Sequence, residues 1–271
     1  MKGQPCGRVI VALSGGVSSA WCAEWAIREY GHERVILYFN DTRWEHPDLY
    51  RFLADLSAYL NHPIFEDSDQ RSPEQVFYDE RMIANNRVPF CSRILKVERL
   101  QAFYQDGDAL VFGIGRHERK RCDRLVRVYQ LHAAKSGKFP RLLFPLVTDA
   151  PCGLNLRGWL AQTGIKLPAL YRYGFEHNNC AGGCARAGKQ QWVKLYKAFP
   201  DVYADRERVE REVAAYLGKD VHFLKNVSLE TLRHQIENRE LSTRYDRITG
   251  GQVRHYQMTF SECVGMCSYF N

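Results

Sequence analysis

A doubly wound parallel α/β sheet, followed by a helical, Cys-containing C-terminal extension, is the fold class the sequence predicts. Three observations carry that prediction. Short β-branched runs alternate with segments of helical period over residues 8–162. Polar clusters follow three of those runs, at 14–19, 40–42 and 115–121. From about Tyr171 the alternation stops, and a Gly-, Asn- and Cys-rich stretch leads into charged helices. Strand–helix alternation is the pattern of a parallel sheet covered on both faces, and such sheets bind ligands at the carboxyl ends of their strands.

The elements follow in order. Residues 8–13 (RVIVAL) read as a buried parallel strand, and 20–30 as a helix with Trp21, Ala23, Trp25, Ala26 and Ile27 inward and Gly31 past its end. Residues 35–39 form a second strand. A second helix over 47–60 carries Leu49, Phe52, Leu53, Leu56 and Leu60 at helical spacing, and a third strand is expected over 62–66. Ser72-Pro73 opens a helix with Val76 and Phe77, residues 92–104 read as helical, and 109–114 as a strand ending in Gly115. Residues 141–145 lead into a helix near 154–162. In the extension, GFEHNNCAGGCARAG precedes helices around 190–199 and 205–217, and 228–257 is weakly patterned. The expected division is a first unit over 1–170 and a Cys-rich loop with helical extension over 171–271.

Hydrophobic residues make up 45% of the 271, enough for a sizeable core. No run of about 18 apolar residues exists, which excludes a membrane-spanning helix. The start, MKGQPCGRVIVAL, lacks the features of a signal peptide, so a cytoplasmic location is expected. A formal charge of +7, from 38 basic and 31 acidic residues, favours an anionic partner such as a nucleotide or tRNA. Nine cysteines in a reducing compartment are not expected to form disulfides. Cys91, Cys180, Cys184, Cys263 and Cys267 stand where thiol chemistry or metal binding is plausible; Cys6, Cys22, Cys122 and Cys152 are scattered.

Between the first strand and helix stands Ser14-Gly15-Gly16-Val17-Ser18-Ser19. Two glycines let the backbone approach an anion without a Cβ in the way. Helix N-terminal amides then favour negative charge, and Ser14, Ser18 and Ser19 add hydroxyls. No Lys of the Walker type is present. The bland alternative is a tight turn with a serine N-cap.

SGGVSS resembles the SGGxDS signature of the PP-loop, or N-type ATP pyrophosphatase, superfamily, with Ser18 in place of the acid. Asp41-Thr42, Glu45 and Leu49-Tyr50-Arg51-Phe52 resemble the DT…E…YRF segment of the phosphoadenosine phosphosulfate (PAPS) reductase family. Cys91-Ser92-Arg93-Ile94-Leu95-Lys96-Val97 with Leu100 resembles its C…R-K-V…L segment, and GIGRHERKR (113–121) its G-x-R…R loop. Pro145-Leu146, Leu167-Pro168, Leu170-Tyr171 and Gly174-Phe175 resemble its PL…LP…LY…GY succession. The segments keep the family's order over 9–185.

The resemblance implies a Rossmann-like, adenine nucleotide alpha hydrolase-like fold in the first unit, which would bind ATP, PAPS or adenylyl sulfate (APS). The nucleotide would be held by Ser14, Gly15, Gly16, Ser18, Ser19, Asn40, Asp41, Thr42, Arg93, Gly115 and Glu118. Asn40 to Thr42 would bracket adenine through backbone groups, and Glu118 would orient Arg121 or help hold Mg²⁺. Lys96, Arg116 and Arg121 would stabilise charge on the reacting phosphates. In the iron–sulfur branch of the family a Cys pair precedes R-K-V and a C-x-x-C pair follows GY. Here Cys91 stands alone, and Cys180 and Cys184 are spaced more widely. These three, with Cys263 or Cys267 as a further ligand, imply a 4Fe–4S cluster first, with a flexible loop of unliganded thiols and a zinc site as the alternatives. Family reductases end in E-C-G-L-H, whose Cys attacks sulfur. Glu262-Cys263 matches, Val264 does not, and no His follows, so Cys263 is read both as a catalytic nucleophile and as a ligand.

Three functions are carried forward. The first is ATP-dependent adenylation of a carbonyl oxygen followed by sulfur insertion, as into a tRNA base. The second is a PAPS or APS reductase with a thioredoxin-like reductant. The third is a non-catalytic nucleotide-binding module. A sulfur donor and a homodimer are possible partners, and a membrane is not.

Overall fold

The computed structural model describes residues 7–252. Five strands form one sheet, all parallel: β1 (Val9–Leu13), β2 (Val35–Asp41), β3 (Ile64–Ser68), β4 (Ala109–Phe112) and β5 (Arg141–Leu143). Their order is β3-β2-β1-β4-β5. The chain builds outward from β1 to β3, then returns to lay β4 on the other side of β1. The predicted doubly wound α/β sheet is therefore present, with its switch point between β1 and β4.

Strand β1 shows why the sheet needs two covers. Val9, Val11 and Leu13 enter one core with α1 (Val17–Tyr30), α2 (Pro47–Leu60) and the later helix Leu156–Thr163. Ile10 enters another core on the opposite face, with Tyr38, Leu110, Phe112, Leu125 and Tyr129. Each buried aliphatic or aromatic side chain here contributes about 1.5–3 kcal/mol. Helix α2 starts with Pro47 at its first position, where His46 Nδ1 accepts the Asp48 N–H at 3.0 Å. Its end is set by Asn61 in the left-handed region at φ 45°.

The remaining helices follow the strands. Helix α3 (Pro73–Asp79) opens with a reciprocal Ser72–Gln75 capping box. Helices α4 (Phe90–Ser92) and α5 (Arg99–Phe103) are joined by a π-helical turn, Arg93–Glu98. After β4 comes α6 (Arg119–Ser136), then α7 (Pro145–Thr148), α8 (Leu156–Thr163) and α9 (Ala169–Arg172). The extension contains α10 (Lys189–Ala198), α11 (Pro200–Leu217), α12 (Leu229–Glu237) and α13 (Thr243–Asp246). A third core joins the two parts of the chain: Trp44, Phe77 and Phe90 pack with Trp192, Tyr203 and Phe223.

Several expected boundaries shift. Helix α1 begins at Val17 rather than at residue 20, placing Ser18 and Ser19 in its first turn. β3 lies two residues later than expected, at Ile64–Ser68. The expected helix over 92–104 carries the π turn in its middle, which re-aims Lys96. Helix α6 was not anticipated, because seven charged side chains in eighteen residues mask its apolar stripe of Cys122, Leu125, Tyr129 and Ala133. Helix α12, within the weakly patterned segment, starts where Ser228 Oγ accepts the Thr231 N–H at 3.0 Å.

Candidate functional site

The turn between β1 and α1 is built around Gly15, which holds φ +73°, in the left-handed region. A Cβ there would lie 2.6 Å from Leu49 Cδ1, so both conformation and space call for glycine. Ser19 Oγ accepts the Ser14 N–H at 3.2 Å and donates to Gly16 O at 3.0 Å, closing the turn. Gly16 is the N-cap of α1, and no side-chain hydrogen bond caps the helix. The serine N-cap is thus not what holds this turn. The N-terminus of a fourteen-residue helix faces the carboxyl edge of the sheet, where its dipole favours an anion. Ser14, Ser18 and Ser19 are all buried there.

The end of β4 closes on this turn. A Cβ on Gly113 would come within 2.7 Å of Ser19 N, so the backbones meet directly. Gly115 follows, then Arg116, whose Nη2 donates to Ala150 O at 2.8 Å. Arg121 is buried at the start of α6, and its Nη1 donates to Glu118 Oε1 at 2.7 Å. The second Glu118 oxygen makes no hydrogen bond among the described residues; His117 Nε2 lies 4.0 Å away.

The end of β2 supplies a second polar group. Tyr38 donates its hydroxyl to Asp67, and Asn40 Nδ2 donates to that hydroxyl at 3.2 Å. Arg99 grips Asp67, its Nε at 3.0 Å. Burial, then the bond to Asp67, pushes the Tyr38 hydroxyl well above its ordinary range, so it stays a donor. A cavity of about 30 Å³ lies here, lined by Ser14, Tyr38, Asn40, Lys96, Phe112 and Tyr129 among others. Asp41 and Thr42 turn elsewhere. Asp41 Oδ1 accepts from Arg43 N and Tyr50 OH, each at 2.8 Å, and Thr42 donates to Glu45 at 2.9 Å.

Glu45 links three segments far apart in the sequence. Its Oε1 accepts from Thr42 Oγ1 and from Lys96 Nζ at 3.3 Å; its Oε2 accepts the Cys180 N–H at 2.7 Å. Its side chain is 1% exposed. Lys96 reaches it from the π turn. Arg93, on the same turn, instead pairs with Glu98 at 2.6 Å and lies 4.0 Å from Glu80.

The Cys-rich loop lies against this hub. Asn178 Nδ2 donates to Gly15 O at 2.8 Å, binding the loop to the glycine turn. Cys180 and Ala181 both occupy the left-handed region, at φ 49° and 51°. Cys91, Cys180 and Cys184 line one cavity of about 20 Å³ with Thr42, Trp44, Lys96 and Asn179. The hydrogen bond between the two thiols, then burial, pushes the Cys180 thiol well above its ordinary range. Arg206 of α11 stacks its guanidinium 3.6 Å from the centre of the Trp44 ring, behind this cavity. Among the described residues, no three Cys, His, Asp or Glu side chains are grouped so as to hold a metal ion. Cys263 and Cys267 lie outside the described residues.

The structure thus gathers Ser14 to Ser19, Asn40, Thr42, Lys96, Gly115, Arg121 and three cysteines at one edge of the sheet. It does not turn Arg93 toward them. Tyr38, Asp67, Arg99, Asn178 and Arg206 were missed. Asn178 lies within the Gly-, Asn- and Cys-rich stretch but was not singled out there; the other four lie outside the quoted motifs and reach the site through long-range packing. Glu45 did have a signal, its place in the DT…E segment.

The sequence model described as the phosphoadenosine phosphosulfate reductase domain matches residues 8–181, more than half of the chain. The chain belongs to this family. Members of the PAPS reductase domain family are enzymes that bind adenine nucleotides, within the PP-loop superfamily. The matched residues begin just before β1 and end inside the Cys-rich loop, so they include the whole lining of the first cavity and all of the second except Cys184 and Ala185. A search of curated proteins gives no match. No helix among the described residues is long and apolar enough to cross a membrane.

Proposed function

We propose that this PAPS reductase-family protein adenylates a carbonyl oxygen with ATP and replaces that oxygen by sulfur, as in a tRNA base. The observation that carries this reading is the position of Lys96. It lines both the cavity beside the glycine turn and the cavity ringed by three thiols. A phosphate held at the first cavity and a sulfur delivered from the second would meet across one cation.

The substrate oxygen would attack the α-phosphate and pyrophosphate would leave on the amides at the N-terminus of α1. Hydrosulfide from a donor would then add to the activated carbon, and AMP would depart with the oxygen. Lys96, Arg116 and Arg121 would offset the charge that grows on the phosphates. The glycine turn, with Asn178 behind it, would fix the leaving group in line. One Glu118 carboxylate oxygen makes no hydrogen bond among the described residues, which suits Mg²⁺ on the pyrophosphate.

The donor set of the second cavity is soft and all sulfur, which suits an Fe–S cluster by chemistry. Among the described residues no three donors are grouped so as to hold a metal ion, so the cluster reading rests on the chemistry of the thiols alone. Cys91, Cys180 and Cys184 would hold such a cluster, and it would supply a binding site for sulfur. The test is pyrophosphate release from ATP by anaerobically purified protein, with and without bulk tRNA. The expected result is release that depends on tRNA and tracks sulfur incorporation; no release under either condition overturns the reading.

The family match favours a second reading, reduction of PAPS or APS to sulfite with Cys263 as nucleophile and a thioredoxin-like reductant. Sulfite formed with thioredoxin and lost in Cys263→Ser would establish it in place of the first.

A further inference from the structure

We infer that the outward face of α6 is an RNA-docking surface that leads into the glycine-turn site. This inference rests on the tRNA-modifying reading above. Residues 116–138 hold eight basic and two acidic side chains, a net +6 in a chain whose formal charge is +7. The charge is therefore concentrated on one element and its flanks.

Its arrangement follows from helical geometry. Cys122, Leu125, Tyr129 and Ala133 face the sheet. On the outer side Lys120, Arg124, Arg127, Leu131 and Lys135 recur at intervals of three and four, forming one stripe. At 1.5 Å per residue the stripe is about 22 Å long. Lys120, Arg127 and Lys135 are exposed, and none of them forms an ion pair among the described residues. By contrast, Arg51, Arg71 and Arg233 each pair with two carboxylates and Arg208 with three. A row of cations on one face of a rigid helix, with Lys120, Arg127 and Lys135 outside any ion pair among the described residues, suits a row of phosphates. Leu131, 55% exposed in the middle of the stripe, gives an apolar contact for a sugar or base.

The topology gives the stripe its direction. Helix α6 starts where β4 ends, beside Gly115 and Arg121, and returns along the flank of the sheet to β5. An RNA lying on it would have one end at the candidate site. A polyanion is favoured over an acidic protein because the stripe is linear, almost wholly cationic and only one side chain wide.

The test uses the full chain and labelled bulk tRNA, with affinity measured against salt. The triple variant K120Q/R127Q/K135Q removes three cations that have no part in the nucleotide site. It should weaken tRNA binding at least tenfold near 0.1 M salt and lower the slope of log K against log salt by about 2–3, with ATP binding unchanged. A control, R211Q/K219Q/R239Q, removes the same charge from exposed positions on and beside α11 and α12, and should change tRNA affinity less than threefold. Native tRNA binding by the stripe variant overturns the inference, as does equal weakening by both variants. So does a stripe that binds a thioredoxin-like acidic protein but not tRNA. Stripe-dependent tRNA binding without pyrophosphate release leaves the surface standing and removes the catalytic reading.

Discussion

Gly15 shows how much one residue decides. It sits at a left-handed φ and its missing Cβ makes room for Leu49. Gly15→Ala should therefore abolish ATP binding measured by calorimetry and lower stability by about 1–3 kcal/mol, from strain and the displaced leucine. Glu45 is the second decisive residue. Glu45→Ala would leave the Lys96 ammonium and the Cys180 N–H without their shared acceptor. A loss of about 3–5 kcal/mol in denaturant unfolding is expected, as for breaking a buried pair. Glu45→Gln, which keeps the shape and one acceptor oxygen, should recover part of it. A loss below 1 kcal/mol in Glu45→Ala would show that the three segments are held by other contacts. The sequence offered Glu45 as a motif position, but nothing local tells that its partners stand 51 and 135 residues away.

At the scale of elements, β1 and β4 are clamped at their starts as well as by their ladder. Asp108, at the head of β4, accepts from Arg8 N at 2.9 Å, from Arg8 Nη2 at 2.7 Å and from Gln105 N at 2.8 Å. Burial alone would raise the Asp108 carboxyl, but the bonds from Arg8 and Gln105 outweigh it and hold it below its ordinary 3.8. A carboxylate depressed in the folded state stabilises the protein above the unfolded value, and that stability is lost as pH falls from 3.8 through the folded value. Asp108→Asn should thus cost about 1.5–3 kcal/mol at neutral pH and flatten the acid limb of the stability curve below about pH 4. The urea midpoint measured from pH 7 to pH 3 checks it. Parallel wild-type and variant curves would exclude this role. The π turn is an element that periodicity could not reveal. Ile94, Leu95 and Val97 are buried in it, and the packing of the turn between α4 and α5 accompanies the direction in which Lys96 emerges.

At the scale of the molecule, the third core crosses the end of the family match. Trp192, Tyr203 and Phe223, all C-terminal to residue 181, are among the largest fully buried side chains, and they cover Trp44, Phe77 and Phe90. A chain truncated after Ala181 would expose that surface. It should be insoluble or lack a cooperative thermal transition, whereas the full chain melts cooperatively. A soluble truncated chain with native-like melting would show that residues 1–170 fold independently of the extension.

What the sequence by itself determined is the succession of strands and helices, the glycine turn and the family. All three are written in local signals: β-branched runs, helical spacing and short ordered motifs. The tertiary structure decided which side chains meet. It placed Cys91 beside Cys180 and Cys184, joined Asn178 to Gly15 and set Lys96 between two cavities. It also turned Arg93 away from them. Those pairings span tens to more than a hundred residues, and they arise because strand order and three buried cores fix where each loop returns. A contact of that kind has no signature in the neighbouring sequence, since its partner is chosen by the fold as a whole.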